Sequence, residues 1–133
     1  MNNLTPGLSA ELSIFVSEAD TASRWGSGLV PVYSTPALVG LMEAAAVKAL
    51  GDQLEPGQTT VGGHIDVHHL AATPVGMSVR ARAVLTAHEG RRLTFQIEAW
   101  DEVEKIGEAL HERFLIDTEK FVSRAAKKQK QNQ

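Results

Sequence analysis

Two stretches of this 133-residue chain concentrate groups that could do chemistry. The segment GGHIDVHHLAATP, residues 62 to 74, sets three histidines beside an aspartate. The segment TPALVGLMEAAAVKALG, residues 35 to 51, holds one carboxylate, Glu43, among apolar side chains. The histidines invite a metal reading, but alternate residues of a strand share a face. His64, Asp66 and His68 then form one polar row. Val61, Gly63, Ile65, Val67, His69 and Ala71 form the opposite, apolar row. Ligands at i, i+2 and i+4 spread over roughly 13 Å of strand, a poor match to zinc bonds of about 2 Å. No metal site is expected. His69 is the single polar residue on the apolar row, either a satisfied core histidine or a group that meets another across the core.

Glu43 supplies that other group. Val39, Gly40, Ala46 and Val47 flank it one helical turn away on either side, and a carboxylate in apolar surroundings is costly unless paired or protonated. A base or nucleophile is one reading. Escape to solvent, or an arginine partner across an interface, is the plainer one. Thr35 is placed to cap the helix with its hydroxyl, while the backbone N–H groups at such a helix start favour an anionic or carbonyl ligand. Gly40, Ala44, Ala45 and Ala46 keep the helix slim enough for a second chain or a substrate to approach.

The elements that must position these groups follow from periodicity. Residues 35 to 51 read as a helix capped by Thr35, with Pro36 in its first turn and Gly51 at its end. Because it is apolar almost all round, it is expected to be buried. Residues 8 to 20 begin with the alternation of a strand, and RWGSGLVPVYS (24 to 34) reads as a loop entering a short extended piece. Residues 59–71, 77–89, 91–102 and 104–117 are four further extended segments. In the third of these, Leu93, Phe95, Ile97 and Ala99 share one face. Consecutive alternating strands imply an antiparallel sheet with one buried face. One buried helix among them implies an α+β fold of the hot-dog type, a curved antiparallel sheet wrapped around one long helix.

Composition limits the rest. The length suits a single domain, taken as residues 1–118. Without cysteine, disulfides and thiolate metal sites are excluded. The N-terminal MNNLTPGLSAEL lacks the basic and apolar regions of a signal peptide, and the longest apolar run, 37 to 47, is broken by Glu43 and too short to span a bilayer. A cytoplasmic protein is expected. Residues 119–133 carry five basic residues and one acidic, about +4, against about −7 for the preceding chain. That tail lacks interleaved aromatics and is expected to be a frayed, solvated terminus, with neither nucleic acid nor membrane as partner.

With these residues assembled, VYSTPALVGLMEAAAVKAL, PGQTTVGGHIDVHHLAATPVGMSVRARAVL and GEALHERFLID resemble the fluoroacetyl-CoA thioesterase-like branch of the hot-dog superfamily, across nearly all of 10 to 118. The TP helix start with a glutamate eight residues on, and IDVHHLAATPVG placing a histidine twenty-six residues after it, fit that family's catalytic Thr–Glu–His set. The resemblance implies Thr35, Glu43 and His69 in these roles, and hydrolysis of a short or medium acyl-CoA. It implies no cofactor, a homodimer or dimer of dimers, and active sites near the subunit boundary. Gly62 or Gly63 could offer a backbone N–H to the thioester carbonyl. Arg113 sits where this family often carries an arginine near the site or the CoA, its plainer role being an ion pair with an acid such as Glu98. Two alternatives stand beside hydrolysis. One is a non-catalytic acyl-CoA or small-ligand binding module; the other is a hydratase-like hot-dog enzyme, whose Asp–Asn–Pro–x–His segment is absent from the sequence.

Overall fold

The computed structural model describes residues 4–131. Strand β1 (Ser9–Phe15) leads through a 3-10 turn (Glu18–Asp20) and a short helix α1 (Ala22–Trp25) to the long helix α2 (Thr35–Leu50). Strands β2 (Gln58–His69), β3 (Ser78–Glu89), β4 (Arg92–Trp100) and β5 (Lys105–Asp117) follow, and helix α3 (Thr118–Gln131) closes the described chain. The five strands form one antiparallel sheet in the order β1-β3-β4-β5-β2. The first strand stops at Phe15, short of its expected extent, because the Asp20 carboxylate accepts the Ser17 N–H and hydroxyl and turns the chain.

Alternation sets the buried face. Val79, Ala81, Ala83 and Leu85 of β3 and Leu93, Phe95, Ile97 and Ala99 of β4 are completely buried, the β4 row being the one read from the sequence. Against them lie Leu38, Leu41, Met42, Ala45, Ala46, Ala49 and Leu50 of α2. One sheet of five strands covers only part of a helix, and α2 lies mainly over β1 and β3. The expectation of a helix buried all round is corrected accordingly. Gly40, Ala44 and Val47 are exposed, and Glu43 beside them is half-buried.

The cap is also corrected. Ser34, not Thr35, is the N-cap, its hydroxyl accepting the Ala37 N–H at 3.2 Å. Thr35 is the first helical residue, so its own hydroxyl is free for another partner. The loops at this end are tied together by Asp101, which accepts the Val103 and Glu104 N–H groups and the buried Thr73 hydroxyl. Thr73 in turn accepts the Tyr33 N–H through its carbonyl at 2.8 Å, fixing the entry to α2 against the segment after β2.

The basic tail is a regular helix over Thr118–Gln131, begun where Asp117 accepts the Lys120 N–H. Residues 119–129 are solvent-exposed along this helix, and the last two residues of the tail lie outside the described ones. No helix among the described residues is long and apolar enough to cross a membrane.

Close approach of α2 to β5 depends on Gly107. A Cβ there would lie 2.9 Å from Leu38 Cδ2 and 3.2 Å from Met42 Cε, and both side chains are fully buried, so a larger residue must displace them within the core. Gly107→Val should therefore cost about 1–3 kcal/mol by overpacking. The expected result is a lower denaturation midpoint with an unchanged denaturant slope.

Candidate active site

The last residue of β2 and the first residue of α2 meet. With Ser34 performing the capping, the Thr35 hydroxyl lies 2.8 Å from His69 Nδ1. His69 stands on the inward row of β2 and is half-buried. Its Nε2 is buried without a hydrogen-bond partner among the described residues. Loss of solvent lowers the pKa of His69 below the ordinary 6.5, so the ring is neutral at neutral pH. Beside it opens a cavity of about 340 Å³ lined by Val32, Tyr33, Thr35, Leu70 and Ala71 among others. Tyr33 is a wall of this space. Its hydroxyl donates to the Ala37 carbonyl at 3.2 Å, and burial pushes its pKa up, keeping the phenol neutral. Trp25, the other aromatic of the preceding loop, is 53% exposed.

Glu43 lies further along α2 in a second polar group. Its Oε2 accepts from Arg113 Nη1 at 3.3 Å, and no hydrogen bond among the described residues engages Oε1. The Glu43 side chain is 41% exposed, that of Arg113 only 8%. Desolvation pulls the Arg113 pKa down and Glu43 opposes the shift. Of the two readings of Arg113, the surface ion pair with Glu98 does not occur. Arg113 points inward, and Glu98 pairs with Lys105 at 3.0 Å. Each nitrogen of the buried guanidinium has a hydrogen-bond partner. Its Nε donates to Thr60 Oγ1 at 2.9 Å, Nη2 to the Thr60 carbonyl at 3.1 Å, and Nη1 to His111 Nε2 at 3.3 Å.

A β-bulge between Gly62 and His64 decides which residues of β2 share this inward face. Gly62 pairs with Arg113, whereas His64, two residues on, pairs with the next residue, Glu112. The extra residue reverses the alternation. Thr60 and Gly62 therefore share the inward face with Ile65, Val67 and His69, while Gly63 does not, correcting the row read from the sequence. A Cβ on Gly62 would come 2.7 Å from Glu43 Oε2, so only glycine leaves space next to the carboxylate. Gly63 instead lies under the Phe114 ring, whose Cδ2 would be 2.7 Å from an added Cβ. Downstream of the bulge, His64, Asp66 and His68 form an exposed outer row, with His68 Nε2 and Asp66 Oδ1 3.6 Å apart.

The structure thus brings together Thr35 with His69, and Glu43 with Arg113 and Gly62. It does not join the two groups within one chain. Gly62 and His69 are separated by roughly 20 Å of strand at about 3.3 Å per residue. Thr35 and Glu43 are separated by about 12 Å of helix. Among the described residues no hydrogen bond or ion pair links Glu43 to His69. Two members of the inward network were missed in the sequence, Thr60 and His111. The available signal for His111 was its place two residues before Arg113, on the same side of β5.

Comparison with known proteins now bears on this arrangement. A family model described as fluoroacetyl-CoA-specific thioesterase, FlK, matches residues 16–119. A fluoroacetyl-CoA thioesterase from Streptantibioticus cattleyicolor is 45% identical over 97 residues, which are 73% of this chain and 70% of that protein. A crystal structure of a variant of the fluoroacetyl-CoA-specific thioesterase FlK superposes with a TM-score of 0.89 at 35% identity, covering 96% of this chain and 99% of that one. A Thermus thermophilus protein described as a thioesterase superfamily member gives a TM-score of 0.89 at 29% identity over 100% of both chains. A family match spanning most of the chain, joined to these identities and superpositions, shows that the protein belongs to the fluoroacetyl-CoA-specific thioesterase family and has the hot-dog fold.

Proposed function

We propose that this protein hydrolyses a short or medium acyl-CoA to the free acid and CoA, with Glu43, His69 and Thr35 as its reacting set. One observation carries the reading. Glu43 has one oxygen held by a buried arginine and the other unengaged, and the missing side chain at Gly62 is what lets that carboxylate sit against β2. In the nucleophilic form, the free carboxylate oxygen attacks the carbonyl carbon, the C–S bond breaks, and CoA leaves as thiolate. Neutral His69 then takes a proton from water, whose oxygen attacks the acyl–glutamate anhydride. The C–O bond to Glu43 breaks, and the imidazolium gives its proton to the thiolate. In the general-base form, Glu43 takes the proton from water directly. Thr35 orients the imidazole through Nδ1 in either case, leaving the unpartnered Nε2 for the reacting groups.

The separation of Glu43 from His69 within one chain favours a site shared by two copies. β2 is an edge of the sheet, and an unpaired edge is a template for another strand. Two β2 strands pairing antiparallel about a two-fold axis at Asp66 would set the Gly62–Gly63 bulge of one copy opposite His69 of the other. Each site would then take Glu43, Arg113 and Gly62 from one copy and Thr35 and His69 from the other, within a homodimer or a pair of such dimers. One domain over 1–118, with 119–133 as an appended basic segment, and a cytoplasmic location complete the proposal.

Glu43→Gln and His69→Ala should each reduce thiol release from a panel of acyl-CoAs by at least roughly 100-fold, the scale of losing an acid–base group. Full activity in both variants would overturn the assignment, and CoA binding without hydrolysis by the unaltered protein would favour a binding module. Co-expression of the two variants should restore roughly a quarter of wild-type activity, because random pairing makes half the dimers mixed, each with one intact site. A site confined to single chains would show no recovery. Because desolvation lowers the His69 pKa, the acid limb of kcat/KM should have its midpoint below the ordinary histidine value, since the ring loses its ability to accept a proton only as it becomes protonated there.

A further inference from the structure

Arg113 can hold Glu43 only if its own guanidinium is held, and the group that faces its Nη1 beside the carboxylate is an imidazole. His111 is 1% exposed and hydrogen-bonded at both ring nitrogens. Its Nδ1 lies 2.7 Å from the His64 carbonyl, which can only accept, and its Nε2 lies 3.3 Å from Arg113 Nη1, which can only donate. Those two partners fix one state, the neutral ring with its proton on Nδ1. Desolvation lowers the His111 pKa, and the neighbouring guanidinium acts in the same direction; the His64 carbonyl and the Glu43 carboxylate oppose them. The Phe95 ring, 6.3 Å away between centroids, closes the remaining side without charge.

We propose that His111 is a positioning residue for the reaction, acting through Arg113 on Glu43; this rests on the hydrolase reading above. The two hydrogens on Arg113 Nη1 are shared between His111 Nε2 and Glu43 Oε2, at 3.3 Å each. Accepting the first hydrogen directs the second at the carboxylate, which holds Oε2 beside Gly62 and leaves Oε1 without a protein partner among the described residues. The His64 carbonyl that fixes the tautomer belongs to the residue immediately after the bulge, so the same local irregularity places Gly62 beside Glu43 and orients the ring behind it. A protonated His111 has no lone pair for Arg113 and sets a second cation against it, releasing the guanidinium from its orientation. Among the described residues, the charged and titratable groups that act on this ring are Arg113, Glu43 and His64.

Three substitutions separate the two hydrogen bonds. In H111Q the amide oxygen reaches the Nε2 position and can accept from Arg113. In H111N a donor remains for the His64 carbonyl but nothing reaches Arg113, and H111L supplies neither. Steady-state hydrolysis of an acyl-CoA should show H111Q within a few-fold of wild type in kcat. H111N and H111L should lose roughly 100-fold in kcat, the cost of a misplaced reacting group, with KM little changed. The acid limb of the wild-type pH profile should be steeper than that of H111Q, which keeps the contact without a titrating ring. Thermal melts identify variants that lose activity by unfolding. Should H111N and H111L unfold, the comparison of wild type with H111Q still decides through the slope of the acid limb. Equal kcat in folded H111N and wild type, or identical acid limbs in wild type and H111Q, would overturn the proposal while leaving the hydrolase reading intact. Wild-type protein that releases no thiol from any acyl-CoA would overturn that reading, and the proposal with it.

Discussion

A guanidinium withdrawn from water governs the inner half of this molecule. Arg113 remains charged in proteins at any ordinary pH, and burying such a group demands acceptors around the whole fork. The chain supplies the Thr60 hydroxyl, the Thr60 carbonyl, His111 Nε2 and Glu43 Oε2. These come from β2, β5 and α2, so the need to satisfy one ion fixes the register between the edge strand, its neighbour and the helix. It also explains how a helix with a carboxylate among apolar residues can dock. Glu43 is one of the acceptors on which the buried cation depends, as well as an oddity in its own helix.

The second polar pair obeys a different economy. Thr35 and His69 are both uncharged, and their meeting depends on a division of labour at the helix start. Ser34 satisfies the backbone donors, so the adjacent hydroxyl can serve a side chain. Two hydroxyl-bearing residues in succession give one cap and one hydroxyl that meets His69, and the Asp101–Thr73–Tyr33 ties hold that end of the helix against the close of β2.

Much of this was legible in the residues. The alternating rows of β3 and β4, the helix with its terminal glycine, and the inward direction of His69 all follow from simple periods. Other features resisted for physical reasons. Serine and threonine both cap helices and proline fits either of the first two helical positions, so reading Pro36 as the first helical residue puts the cap one place too late, on Thr35 instead of Ser34. A period-two count also assumes an unbroken ladder. From Ile65 to His69 the count runs wholly beyond the bulge and points correctly; carried back to Gly63 it crosses the bulge and fails. His111 and Arg113 were visibly on one side of a strand, but periodicity does not say that the side faces inward when its residues are a histidine and an arginine. Their burial becomes intelligible only once the acceptors around Arg113 are known.

The bulge at Gly62–His64 has a wider consequence. It divides β2 into two segments of opposite phase, each carrying its own set of inward side chains. Deleting the extra residue at this point would merge the two segments into one unbroken ladder, with Thr60 and Gly62 still inward together with Ile65, Val67 and His69. With the bulge kept, losing one residue beyond it would reverse the face of every side chain from the gap to His69. The irregularity therefore gives this strand a tolerance for a one-residue deletion at the bulge that its regular stretches lack.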